Sequence, residues 1–114
     1  MLYTSYFAKV KTFPAGSHVY SIANSSPFPL EKLSYLVPSW DLVKRYKDGI
    51  VDEASYTAEY ETMLEINKDA ILSQILALPD NSILCCYEGP GKFCHRHILA
   101  DWLNKHNIKC EEKY

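Results

Sequence analysis

Surplus positive charge is the first thing missing. Lys and Arg number 12 against 14 Asp and Glu, a formal net charge of −2, so the long-range attraction that general nucleic-acid binders rely on is absent. Only a small basic patch is compatible with that total. Also missing is any run of about eighteen apolar residues, so no membrane-spanning helix is expected. The N-terminal stretch MLYTSYFAKV has no basic flank before it and no small-residue cleavage site after it. It reads as a strand, not a secretory signal. No internal repeat or low-complexity tract interrupts the chain, which excludes a solenoid.

What is present suits one packed domain. The chain has 114 residues, 47% of them apolar and 23% charged, ordinary usage for a globular α/β protein with a core of its own. We expect a single domain over residues 1–114. The four cysteines are Cys85, Cys86, Cys94 and Cys110. Without a secretory signal they are expected as reduced thiols in a cytoplasmic protein.

Residues 2–7 (LYTSYF) are β-branched and aromatic-rich, as a buried strand requires, and His18–Ile22 alternates as a second strand would. Asn24–Pro29 is a loop by its prolines. Ser39 is placed to cap a short helix that stops at Gly49, and Asp52 to cap a longer one carrying Tyr56, Tyr60, Met63 and Leu64 at helical spacing. A third helical run spans residues 69–78, and the Pro79-Asp80-Asn81 turn leads into the continuous apolar strand 83–87. A helix from Cys94 to about Lys105 and a short strand at residues 108–111 complete the pattern. Strands separated by helical crossovers predict a small mixed or mostly parallel sheet of about four strands flanked by helices. Ligands in such sheets bind at the carboxyl edge.

Reactive side chains crowd that edge. The segment ILCCYEGPGKFCHRHILADWL, residues 83–103, holds three of the four cysteines, two histidines, Glu88 and Arg96. On the helix that follows, Ile98, Leu99, Trp102, Leu103 and His106 form the apolar stripe, with His95 in its middle, Cys94 and Arg96 on its margins and His97 facing solvent. A helix N-terminus attracts anions through its unpaired N–H groups and dipole. Gly89 and Gly91 let backbone approach a ligand closely, and Arg96 is a candidate anion clamp. Cys94 is a candidate nucleophile whose thiolate the dipole and Arg96 favour, with His95 as its acid or base. Glu88 is near enough in sequence to pair with Arg96 or His95, and Ser5 and Tyr6, beside Thr4, are candidates for the opposite wall.

A plainer reading stands beside each of these. Cys85, Cys86 and Cys110 suit core packing, His95 suits a bond to a buried carbonyl, and Arg96 with Glu88 suits a structural ion pair. His18 and His106 suit structural or solvated positions. Known signatures do not decide between them. A cysteine-phosphatase loop needs arginine six positions after the cysteine, where this chain has Ala100 after Cys94 and Lys92 after Cys86. A metal held by Cys86, Cys94, His95 and His18 is conceivable, but C-x7-C-H is not the spacing of a common zinc knuckle, so no metal ligand is assigned. The Gly-Pro-Gly run is neither a Rossmann nor a Walker loop, so no cofactor is named.

The same segment resembles the hallmark of the prokaryotic domain-of-unknown-function 488 family, in which an LLC-x-E strand leads to a CHR helix start. YTSYF at Tyr3–Phe7, VPSWDLVKRYKDG at Val37–Gly49 and the tyrosines Tyr56 and Tyr60 extend the likeness over nearly the whole chain. The resemblance implies a small intracellular α/β protein and marks Cys86, Glu88, Cys94, His95 and Arg96, without implying a reaction. Longer members carry an Asp-x-Arg strand faintly like rhodanese domains, whereas the second strand here reads YSIANSSPFP. The expected function is therefore a site for a small anionic ligand or nucleic-acid end, with cysteine-dependent chemistry. The alternatives are an interaction module in which CHR is structural, or a Cys/His metal site.

Overall fold

A computed structural model describes residues 1–89 and 92–113. Its strands are β1 (Leu2–Tyr6), β2 (Val19–Ser21), β3 (Glu31–Lys32), β4 (Ile83–Cys86) and β5 (Cys110–Glu112); its α-helices are α1 (Trp40–Lys47), α2 (Glu53–Ile66), α3 (Lys68–Ala77) and α4 (His95–Lys105). Two 3-10 helices, Phe7–Thr12 and Ser34–Leu36, fill connections. The strands form one sheet in the order β3-β2-β4-β1-β5, and every pairing is parallel. The α/β expectation holds, with five strands and no antiparallel pair among the described residues.

Local sequence explains most of these elements. Ser39 Oγ accepts the Leu42 N–H at 3.1 Å and starts α1; Gly49, at φ 75°, takes the left-handed turn that ends it. Asp52 Oδ1 accepts the Ser55 N–H at 2.8 Å and starts α2. Tyr56, Tyr60 and Leu64 recur every fourth residue and are buried together. The Tyr60 hydroxyl donates to the Leu36 carbonyl at 2.6 Å, so its buried polar end is satisfied. Every residue of β4 is buried, as the continuous apolar run predicts for a central parallel strand.

Register then aligns the chemistry. Tyr6 pairs with Cys86, and both Ser5 and Ser21 pair with Cys85. The carboxyl ends of β1, β2 and β4 therefore lie along one edge, the one at which α4 begins. His18, just before β2, lies at the opposite edge, so it does not join Cys86 and Cys94 as a metal ligand.

Candidate functional site

The junction between β4 and α4 opens into a cleft of about 520 Å³. Cys86, Cys94 and His95 line it beside Trp40, Tyr46, Tyr56, Tyr87 and Phe93, with Lys47 and Glu88 as its charged residues. The aromatic wall is self-supporting: Phe93 lies 4.9 Å from Tyr46 and 5.2 Å from Tyr56, centroid to centroid. Trp40 is 57% exposed, and the Lys47 ammonium sits 5.5 Å from its ring centroid.

Cys94 is the N-cap of α4, in an extended conformation, and its side chain accepts no bond from the helix. Its sulfur is instead paired with that of Cys86. The expectation of four reduced thiols thus differs here: Cys85 and Cys110 are free and buried, whereas the strand end and helix start bring Cys86 and Cys94 together across eight residues. Burial pushes the Cys110 thiol up to about 12, with Glu112 and Glu111 adding to the effect.

His95 is buried, and its Nε2 lies 2.5 Å from the Ile22 carbonyl. A carbonyl only accepts, so Nε2 carries the proton and Nδ1 keeps its lone pair. Nδ1 faces the Cys94 sulfur at 3.8 Å. Burial lowers the His95 pKa to about 4, the Ile22 bond opposing the shift and the charges of Arg96 and His97 adding to it. The ring is neutral at neutral pH.

Arg96 lies behind the cysteines, not in the cleft. Its side chain is fully buried and every nitrogen finds a protein acceptor. Nε donates to both Glu112 carboxylate oxygens at 3.0 Å, Nη1 to the Cys86 sulfur at 3.1 Å and to the Glu88 carbonyl, and Nη2 to the Gly89 carbonyl at 3.3 Å. Its Cζ lies over the Tyr6 ring, 5.5 Å from the centroid. Thr4 Oγ1 donates to Glu112 at 2.7 Å, and His97, 41% exposed, stands 3.6 Å from the same carboxylate. Two expectations change as a result. Glu112, not Glu88, supplies the carboxylate for Arg96, because β5 runs beside β1 and places Glu112 level with Thr4. Arg96 also presents no free guanidinium to a ligand, since a buried charge takes its partners from the protein.

The remaining candidates fall as follows. Glu88 is exposed and lines the cleft while lending its carbonyl to Arg96. Gly89 contributes its carbonyl, and an added Cβ there would meet nothing. Gly91 lies outside the described residues. Tyr6 lies beneath Arg96, and Ser5 is buried with its hydroxyl unpartnered among the described residues, so neither lines the cleft. Sequence reasoning missed Glu112, the Ile22 carbonyl and the aromatic wall with Lys47. A charged residue two positions after buried Cys110, hence on the same strand face, was the available signal for Glu112.

No curated protein and no solved structure matches the chain. A family model does: the profile of DUF488-N3a, described as the active DUF488-N3 subclade, matches residues 21–107. That span covers both cysteines of the cleft, His95 and Arg96, and most of the sequence, so the chain belongs to the DUF488 family.

Proposed function

We propose that the cleft binds a small anionic ligand carrying a flat ring, a phosphate-bearing metabolite or a nucleic-acid end, and that Cys94 and His95 act on it. The observation that carries this reading is the convergence of Cys86, Cys94 and His95 on an aromatic-lined cleft at the carboxyl edge of a parallel sheet. Trp40 and Tyr87 are half-exposed faces on which a ring can stack. The uncapped N-terminus of α4 and the Lys47 ammonium supply positive potential for an anionic group. The lone pair on His95 Nδ1 faces the Cys94 sulfur at 3.8 Å. Arg96 acts as a positioning residue: through Cys86, Glu88 and Gly89 it fixes the strand end and the loop. Ser5 and Tyr6 support that wall from β1.

The competing reading, an interaction module in which the CHR segment only locks the loop, draws on the saturation of Arg96. Alkylation separates the two. Reduced, chelator-treated protein is exposed to iodoacetamide at fixed neutral pH, with and without adenosine 5′-monophosphate, and each cysteine is followed by mass spectrometry. We expect Cys94 to react in the native state and to be slowed several-fold by the nucleotide, while Cys85 and Cys110, buried, stay unmodified until the protein unfolds. Equal protection by inorganic phosphate would remove the ring from the reading. A Cys94 that is silent in the native state, or that neither compound protects, would favour the structural module.

A further inference from the structure

We infer that Cys86, Cys94 and His95 form a zinc site with three protein ligands and a fourth coordination position open to the cleft. The inference deepens the ligand reading of the cleft and rests on it only for what occupies that fourth position. With zinc bound, Cys94 and His95 Nδ1 are ligands, so the free-thiolate chemistry proposed above belongs to the reduced, metal-free site. The Sγ atoms of the cysteines and a ring nitrogen of His95 all lie within 4.8 Å of one another. Two thiolates and a neutral imidazole are a recurrent zinc donor set, and three protein ligands with one open position is the arrangement of catalytic sites.

The surroundings are those a zinc ligand set needs. A metal-binding histidine donates its other ring N–H to an outer acceptor, which fixes tautomer and orientation; His95 does this through Nε2 to the Ile22 carbonyl at 2.5 Å, leaving Nδ1 for the ion. On the cysteine side, Arg96 Nη1 donates to the Cys86 sulfur at 3.1 Å, an outer-shell bond to a ligand sulfur. Charge balances as well. Arg96 is matched by Glu112, so two thiolates and a dication sum to zero in a buried place.

Backbone spacing supports the ion over a lasting disulfide. The Cα atoms of Cys86 and Cys94 stand 7.6 Å apart, beyond the separation at which disulfides are normally found. Two thiolates sharing a tetrahedral ion hold their sulfurs about 3.8 Å apart, given zinc–sulfur bonds of about 2.3 Å, and need no closer backbone. The ion takes the reduced pair: each thiol gives its proton to solvent as its sulfur bonds to zinc, and no electrons move. A pair that has been oxidised must first accept two electrons and two protons from a thiol reductant.

All three residues line the cleft, so the open position points to where the ligand's anionic group would bind. The spacing C-x7-C-H hid the set, because in a knuckle one tight turn presents both cysteines. Here a strand end presents one and a helix N-cap the other, with the histidine next to it.

The test uses the full chain, purified in reductant without added metal. Elemental analysis is expected to find close to one zinc per chain. Replacement by Co²⁺ is expected to give a thiolate-to-cobalt charge-transfer band and the strong visible bands of four-coordinate cobalt. Cys86→Ser should weaken the charge-transfer band by about half, as one of two thiolates is lost; Cys110→Ser should leave it unchanged. Adenosine 5′-monophosphate should shift the visible bands by entering the fourth position. Reduced, folded wild-type protein that holds no zinc and gives no charge-transfer band with Co²⁺ overturns the site, whatever the variants do. Bands insensitive to Cys86→Ser in a folded variant overturn the ligand assignment. Protein that binds the nucleotide but no metal defeats this inference alone, and protein that binds metal but no nucleotide defeats the ligand reading of the cleft alone.

Discussion

Arg96 keeps a permanent charge where water does not reach, and the residues around it are arranged to make that tolerable. Five acceptor atoms and the face of Tyr6 meet one guanidinium. Removing the side chain strands the Glu112 carboxylate, 16% exposed, and frees two carbonyls of the loop. Arg96→Ala should therefore cost ~3 kcal/mol or more in urea unfolding. Glu112→Gln, which keeps the shape and one acceptor, should cost less. The double variant should fall short of the sum of the two, because they share one interaction. Additive losses would mean that the ion pair does not hold the loop. Sequence reading reached Arg96 itself because its type and place are local facts: it sits one residue from the apolar stripe at a helix start. It did not reach Glu112, because that partner is sixteen residues away, beyond the end of α4 on strand β5. Only the register of β5 against β1 brings it level with Thr4.

Elements with a local start signal were legible; those held by their neighbours alone were not. Ser39 and Asp52 announce α1 and α2 by side-chain capping, and both caps are made. Ser39→Ala should cost about 1 kcal/mol, read as a shift in the urea midpoint with an unchanged slope. Asp52 gives a pH test. The bond from the Ser55 backbone N–H holds its carboxyl below the ordinary range in the folded state. A carboxyl depressed on folding contributes stability that is complete above its unfolded pKa of about 3.9 and is lost as pH falls through the lower folded value. The gap in melting temperature between wild type and Asp52→Ala should therefore be flat near neutrality and close below about pH 4. A gap that is constant into acid would mean the cap acts without its charge. In contrast β3 is two exposed residues, Glu31 and Lys32, with no alternation to read. It exists because β2 offers an open edge. The 3-10 helix at Phe7–Thr12 likewise has no capping side chain, and LYTSYF ran one residue too far into it as a strand.

At the scale of the whole molecule, parallel pairing throughout gathers the carboxyl ends of β1, β2 and β4 on one edge, and α1 and α2 close over that edge to make the cleft. The edge could be anticipated from the alternation of strands and helices. The aromatic wall could not, because Trp40, Tyr46, Tyr56 and Phe93 come from three separate stretches of chain and read singly as ordinary helix or loop residues. This arrangement puts the two tryptophans in opposite surroundings. Trp40 lies at the mouth of the cleft, 57% exposed, whereas Trp102 is 2% exposed on α4, its indole N–H donating to Glu65 at 2.8 Å. A ring bound in the cleft should quench Trp40 and leave Trp102. Titration with adenosine 5′-monophosphate is thus expected to lower the emission and move what remains toward the blue, since the buried indole emits from a less polar site. Trp40→Phe should start blue and no longer respond, at little cost in stability, because an exposed side chain contributes little to the core. Trp102→Phe should retain the full fractional quench. Quenching that survives Trp40→Phe would place the ligand away from the cleft, and with it the chemistry assigned to Cys94 and His95.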